Sequence, residues 1–269
     1  MGVQPSKPLV TIVIPFYNDP YVAEAVESAL SQTYGNIEII VVDDGSTVHQ
    51  EPLERYAGRI HYIGKANGGT ASALNTGFRL AGGKYVAWLS SDDRFYPDKI
   101  KRQVEAMERT GAQISHTGFD IINGRGMMTD FNIIPPSTAT GDFYRAFQNS
   151  NPVNGCTVVM TKELYRIIGS FNETMRYTHD LDYWFRVLLS GTPFQLLPEP
   201  LCAYRKHEQM GTVKHAEVIA REVKSTFAKY EARWLLYLIQ LGLVPRGGSP
   251  SPSRKAGLSG KPRGLPRSH

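Results

Sequence analysis

The sequence predicts an α/β protein whose first hundred residues form a doubly wound half-domain on a parallel sheet. Three observations predict it. Short apolar, β-branched runs appear where a half-exposed strand would alternate. Segments of helical apolar spacing lie between them. Turns rich in Asp or Gly stand where the runs stop.

LVTIVI (Leu9–Ile14) reads as a strand buried on both faces. Asp19 and Pro20 follow as N-cap and first helical residue, and Val22, Ala25, Val26, Ala29 and Leu30 recur at helical spacing. IEIIVV (Ile37–Val42) is a second buried strand, and strand, helix, strand in this order makes a right-handed unit with a parallel pair. Ile60–Ile63 is a third strand, Thr70–Ala81 a helix and Tyr85–Leu89 a fourth strand. A helix starting at Pro97 carries Ile100, Val104 and Met107 on one face.

Further along the pattern loosens. Asn123–Asp142, with Gly124, Gly126, Pro135 and Pro136, reads as a long loop of the kind that forms mobile lids. Cys156–Thr161 is a strand and Lys162–Ile168 a helix. His179–Ser190 is a helix with Leu181, Trp184, Phe185, Leu188 and Leu189 at core spacing. Phe194–Leu197 and Leu201–Tyr204 read as two short strands, and a long helix from about Lys214 to Leu241 closes the domain. From Pro245 onward Gly, Pro, Ser and basic residues lack apolar periodicity, so 245–269 is expected to be a disordered tail. LVPRGGS within it resembles a protease-site linker, and the segment is left out of the fold.

Composition narrows the function. The chain has 269 residues, 41% hydrophobic and 20% charged, enough for a substantial core. Six basic residues and no acidic ones lie in the tail, so the formal charge of +5 less these six leaves −1 for residues 1–244. A near-neutral body argues against nucleic-acid binding. Cys156 and Cys202 sit in apolar contexts and read as buried free thiols, which fits a reducing compartment. MGVQPSKP leads straight into a strand with no signal peptide, and Trp234–Val244 is too short to span a bilayer. A cytoplasmic location is expected.

Ligands of parallel sheets sit at the carboxyl ends of the strands. The usual phosphate loops are missing: no G-x-G-x-x-G follows the first strand, and GGTAS lacks the Lys of a P-loop. The strand ends carry carboxylates instead, Asp43-Asp44 after the second strand and Asp92-Asp93 after the fourth. A carboxylate can bond a base or a ribose, but it holds a phosphate only through a cation. Hard oxygen ligands suit Mg²⁺ or Mn²⁺, which would also relieve the repulsion between Asp92 and Asp93. The competing reading has one of this pair capping the helix at Pro97–Asp98 and the other solvated.

VTIVIPFYND, IIVVDDGST, KANGGTASALNTGF, YVAWLSSDDRFYP, HDLDYWFRVLLSG and YRKHEQM occur in this order. In order and spacing they resemble the motifs of family 2 glycosyltransferases, over about Leu9 to His207. The resemblance implies an inverting enzyme of the GT-A fold, with a mixed, mainly parallel central sheet flanked by helices. It divides the single domain of residues 1–244 into a nucleotide-binding half, 1–110, an acceptor-side half, 111–212, and a C-terminal helix, 213–244.

It also implies roles. Tyr17, in the PFYN segment with Pro15, is similar to the aromatic that stacks on the donor base. Asp44, with Asp43 beside it, resembles the Asp that bonds that base. Asn67 and Gly69 lie in the turn that either only closes the chain or faces the nucleotide. Asp92 and Asp93 resemble the D-x-D region, one carboxylate meeting ribose or sugar and the other the metal; the usual first Asp is Ser90 here. His207 resembles the His that approaches metal or diphosphate. Asp180 falls where the family keeps its catalytic base, and His179 replaces the common Glu before it. Asp182 is the rival base, two positions on and facing elsewhere on a helix.

The implied reaction is transfer of a sugar from a nucleotide-diphospho-sugar, a UDP-sugar favoured, to a saccharide or glycolipid acceptor in surface polysaccharide or glycolipid synthesis. Inverting displacement needs one base opposite the leaving diphosphate and a Lewis acid on that diphosphate. Two rivals are a sugar-1-phosphate nucleotidyltransferase, which would want a basic Gly-rich loop after the first strand, and a non-catalytic sugar-nucleotide-binding scaffold. The C-terminal helix interleaves Lys214, Arg221, Lys224, Lys229 and Arg233 with apolar residues. It reads first as a cover for the domain or a homodimer face, and second as a contact with the inner face of an anionic membrane.

Overall fold

The structure, a computed structural model, describes residues 7–245. The expected tail from residue 246 lies outside the described residues. Its strands are β1 (Val10–Phe16), β2 (Ile37–Asp43), β3 (His61–Gly64), β4 (Tyr85–Trp88), β5 (Arg94–Phe95), β6 (Ile114–Asn123), β7 (Met128–Ile133), β8 (Val159–Thr161) and β9 (Gln195–Lys206). The helices are α1 (Val22–Leu30), α2 (Thr70–Leu80), α3 (Lys99–Thr110), α4 (Asp142–Ala146), α5 (Lys162–Ile168), α6 (His179–Leu189), α7 (Gly211–Lys214) and α8 (Ala216–Gln240).

All nine strands form one sheet in the order β3-β2-β1-β4-β8-β6-β9-β5, with β7 paired to β6. β1 pairs parallel with β2 and β4, and β2 with β3. β8 runs antiparallel to β4 and β6, while β6 and β9 are parallel. This is the mixed, mainly parallel sheet flanked by helices that the resemblance implied. Both faces are covered, which is why the strands read as unbroken apolar runs. Ile12 and Ile14 join a core under α1 and α3, whereas Val13 faces α2 in a second core that α6 and α8 complete. Gly77 makes the α2 contact close: a Cβ there would lie 2.3 Å from Val13 Cγ1.

Three readings are corrected. Asn123–Asp142 is not one long loop, because β7 folds back on β6 as a hairpin. The two short strands after α6 are one bent strand, β9, whose register on β6 shifts beside Pro198 and Pro200. The long helix read from about Lys214 to Leu241 is present as α8, with the short α7 just before it. Asp19 lies two residues before the N-cap position of α1, Tyr21, and its Oδ1 accepts the Tyr21 N–H at 2.8 Å. β5 and β6 escaped the sequence reading altogether.

Of the readings for the last helix, the cover is the one seen. Tyr230, Trp234 and Leu238 of α8 are buried in the α2 and α6 core, with the Tyr230 and Phe185 rings stacked 4.9 Å apart. No helix among the described residues is long and apolar enough to cross a membrane.

Candidate active site

The parallel order β2-β1-β4 brings three chain ends to one edge. Asp44 N–H bonds Phe16 O at 2.8 Å, and Leu89 N–H bonds Val13 O at 3.0 Å, so the residues after each strand emerge side by side. Pro15 is buried in β1, and Tyr17 just past it is 54% exposed. Asn18, held at φ 49°, accepts the backbone N–H groups of Thr47 and Val48 and ties this loop to the one after β2.

The two Asp of that second loop are both buried and both occupied. Asp43 accepts the Ser46 N–H at 2.7 Å, Gln50 Nε2 at 3.0 Å and the Tyr62 hydroxyl. Burial acts to raise its carboxyl, but these bonds outweigh that and hold it below the usual range. Asp44 accepts Lys65 Nζ at 2.6 Å and the N–H groups of Gly68 and Gly69, the latter at 2.7 Å. Gly69 sits at φ 87°, a left-handed backbone that suits glycine, and turns the start of α2 onto that carboxylate. Asn67 Nδ2 bonds Asp44 O. The turn at 67–69 therefore aims its donors at Asp44.

The pair after β4 divides. Asp92 turns outward, its Oδ2 3.2 Å from His207 Nε2. Asp93 turns inward, 1% exposed, and its Oδ1 accepts the Arg205 N–H at 2.8 Å. Burial, with Asp92 beside it, pushes the Asp93 carboxyl well above the usual carboxylate range. Asp93, expected with Asp92 as a metal ligand, is buried and bonds the Arg205 N–H, whereas Asp92 faces His207. Asp92 and His207 are the two candidate ligands brought together. Arg205, fully buried, fixes the turn by donating from Nε to Asp92 O at 2.7 Å and from NH2 to Glu24.

Asp180 opens α6. Its Oδ2 accepts the Asn151 amide at 2.7 Å, and its Oδ1 accepts the Leu181 N–H. Burial pushes its carboxyl up to about 6 against those two bonds. His179 beside it is buried against Trp88, ring centroids 5.4 Å apart, so the start of α6 stands next to the end of β4. Burial pulls that imidazole down to about 4, leaving it neutral at physiological pH. The chain before α6 borders the turn at 67–69: a Cβ on Gly69 would lie 3.8 Å from Arg176 Cγ. Glu222 of α8 holds this segment by accepting the N–H groups of Arg176, Tyr177 and Thr178.

Asp182 is 1% exposed and accepts Lys229 Nζ at 2.7 Å, Tyr230 OH at 2.9 Å and Arg186 Nε at 3.0 Å. Burial would raise it, but these partners win and its carboxyl is lowered. It ties α6 to α8 and has no free oxygen for chemistry.

The sequence reading missed Asn151, Arg205, Glu222 and Lys65. Arg205 stood inside the YRKH motif, and Lys65 at the head of KANGG. Asn151 and Glu222 had no signal, because only the fold brings them to Asp180.

The family profile described as Glycosyl transferase family 2 matches residues 11–167. The chain belongs to glycosyl transferase family 2. This family 2 chain is 36% identical over 243 residues to an uncharacterized glycosyltransferase of Rickettsia typhi, covering 87% of this chain and 73% of that one. It is 34% identical over 206 residues to the glycosyltransferase TuaG of Bacillus subtilis, assigned by name to teichuronic acid biosynthesis, covering 74% of this chain and 79% of TuaG. Its fold is similar to that of TarS of S. aureus, with a TM-score of 0.66 at 18% identity, over 87% of this chain and 43% of TarS. A shorter TarS crystal structure, of residues 1–349 in complex with UDP-GlcNAc, gives a TM-score of 0.64 at 19% identity and covers 86% of this chain and 73% of that one.

Proposed function

We propose that this protein is an inverting transferase that moves a sugar from a nucleotide-diphospho-sugar to an acceptor hydroxyl, with Asp180 as the base. One observation carries the reading. Of the two carboxylates on α6, Asp182 is tied up by three partners, while Asp180 stands at the site edge with its carboxyl raised to about 6. A base poised near the working pH can take a proton and release it.

The donor nucleotide would lie along the strand ends, its base on exposed Tyr17 and near Asp44. A UDP-sugar is the favoured donor, and the UDP-GlcNAc complex of the similarly folded TarS supports it. Asp92 and His207 fit a divalent cation, Mn²⁺ or Mg²⁺. Among the described residues no three His, Cys, Asp or Glu side chains converge on a metal position. Two protein ligands plus phosphate oxygens and water are nevertheless the usual way such ions bind nucleotides. When bound, the cation would supply Lewis-acid stabilisation of the leaving diphosphate. Asp180 then takes the acceptor proton, and Asn151 keeps its carboxylate aimed.

The acceptor would be a saccharide or glycolipid of a surface polymer, a reading supported by TuaG's name. A thermal-shift screen of UDP-, GDP-, dTDP- and CMP-sugars with and without Mn²⁺ tests the donor class. A UDP-sugar should raise the melting temperature most, and only with the cation. A flat response to all four would overturn the donor reading.

A further inference from the structure

The turn that presents Asp92 is pinned from two sides. On the β9 side Arg205 bonds Asp92 O and Asp93 Oδ1. On the β1 side there is one side-chain bond, from Ser91 Oγ to Asp19 Oδ2 at 2.8 Å. Ser91 is buried to 9% exposure and Asp19 is half-buried, so that bond is partly shielded from water. The other Asp19 oxygen is occupied by the Tyr21 N–H at the head of α1. The carboxylate is thus fixed by the helix it precedes and reaches across 72 residues of sequence to the metal-side turn.

The same short segment ties down the nucleotide side. Asn18, one residue earlier, accepts the Thr47 and Val48 N–H groups, and its own N–H donates to Ser46 Oγ at 3.0 Å. Tyr17 projects from the same segment. Residues 17–19 therefore join the loop after β2 to the turn after β4, and Asp19 is the link on the metal side.

We propose that Asp19 is a positioning residue that holds Asp92 toward His207 through the Ser91 hydroxyl. The proposal rests on Asp92 and His207 being the cation ligands. Asp19 itself touches neither of them by hydrogen bond; it fixes the backbone from which Asp92 projects. Partners of this kind behind a metal ligand typically alter metal affinity by about 10–100-fold. Only one such bond is removed here, and Arg205 still holds the other side, so the lower end applies.

The test is Mn²⁺ binding by the full chain, followed through the paramagnetic resonance of free Mn²⁺, with Mn²⁺ alone as the probe. Wild type, Asp19→Ala, Ser91→Ala and the double variant are compared, with melting temperatures alongside. Both single variants should bind on the order of tenfold more weakly. The double variant should be no weaker than either, since the two act through one bond. Additive losses would overturn the proposal, and so would Mn²⁺ affinities unchanged beside lowered melting temperatures, which mark a purely structural role. A wild-type protein that binds no Mn²⁺, or binds it equally well as His207→Ala, would bring down the cation reading itself and the proposal with it.

Discussion

Asn151 Nδ2 donates to Asp180 Oδ2 across 2.7 Å, joining the loop before β8 to the first turn of α6. The bond favours the ionised carboxylate, whereas burial favours the neutral acid and pushes the group up to about 6. A base must be ionised to act. Transfer rate should therefore rise with pH through about 6 and level off above it. Asn151→Ala removes a bond that lowers the pKa, so its rising limb should move to higher pH. A limb that stays in place, measured as single-turnover rate against pH, would mean the Asn151 bond does not tune the base.

The same raised pKa has a stability consequence. The unfolded chain holds this Asp near the ordinary 3.8, and the folded chain holds it near 6. Between those values the folded state binds more protons, so this group's contribution falls as pH rises through the window and stays unfavourable above it. Asp180→Asn should thus raise the melting temperature at pH 7.5 while abolishing transfer, and the gain should vanish near pH 4. Calorimetric melts of both proteins at the two pH values check this; a less stable Asn variant at pH 7.5 contradicts it.

Asp182 has the opposite sign. Its lowered carboxyl contributes stability that is present above the ordinary carboxylate pKa and lost as pH falls through the lower folded value. Asp182→Ala should cost about 2–3 kcal/mol at pH 7, the worth of hydrogen bonds to a buried charge. Urea titration measures the loss. Donor affinity per folded molecule should hold, because no bond of Asp182 reaches the strand ends.

Asp92 and Asp93 should separate in the same way. Asp92→Asn should strip the Mn²⁺ dependence from donor binding. Asp93 points inward to the Arg205 N–H and burial raises its carboxyl, so Asp93→Asn should keep that dependence. Calorimetric titration of a UDP-sugar with and without chelator distinguishes them. The reverse pattern would put the ligand at Asp93.

The divided pair shows where sequence reasoning stops. Two carboxylates at a strand end were visible in SSDDRF, but which one faces the cleft is decided by Arg205, more than a hundred residues on. The strand β6 hid for a related reason. ISHTGFDIIN buries Ser115, His116, Thr117 and Asp120, so its core side looked polar. β9 was split in the reading by Pro198 and Pro200, which the sheet accommodates with a register shift. By contrast β1, β2 and α5 were legible, because local periodicity and tertiary burial agree there. Asp180 was found by its motif and Asn151 was not, since nothing in NSNPVNG singles out one of its three Asn by spacing.

The central claim is that Asp180 drives a displacement with inversion. The most direct test needs no known acceptor. An α-linked UDP-sugar is incubated with the protein and Mn²⁺ in D₂O, and the sugar first released to water is read by its anomeric proton before mutarotation. The account predicts the β anomer from wild-type protein and no release above background from Asp180→Asn. Release of the α anomer, or equal release from the Asn variant, would contradict it.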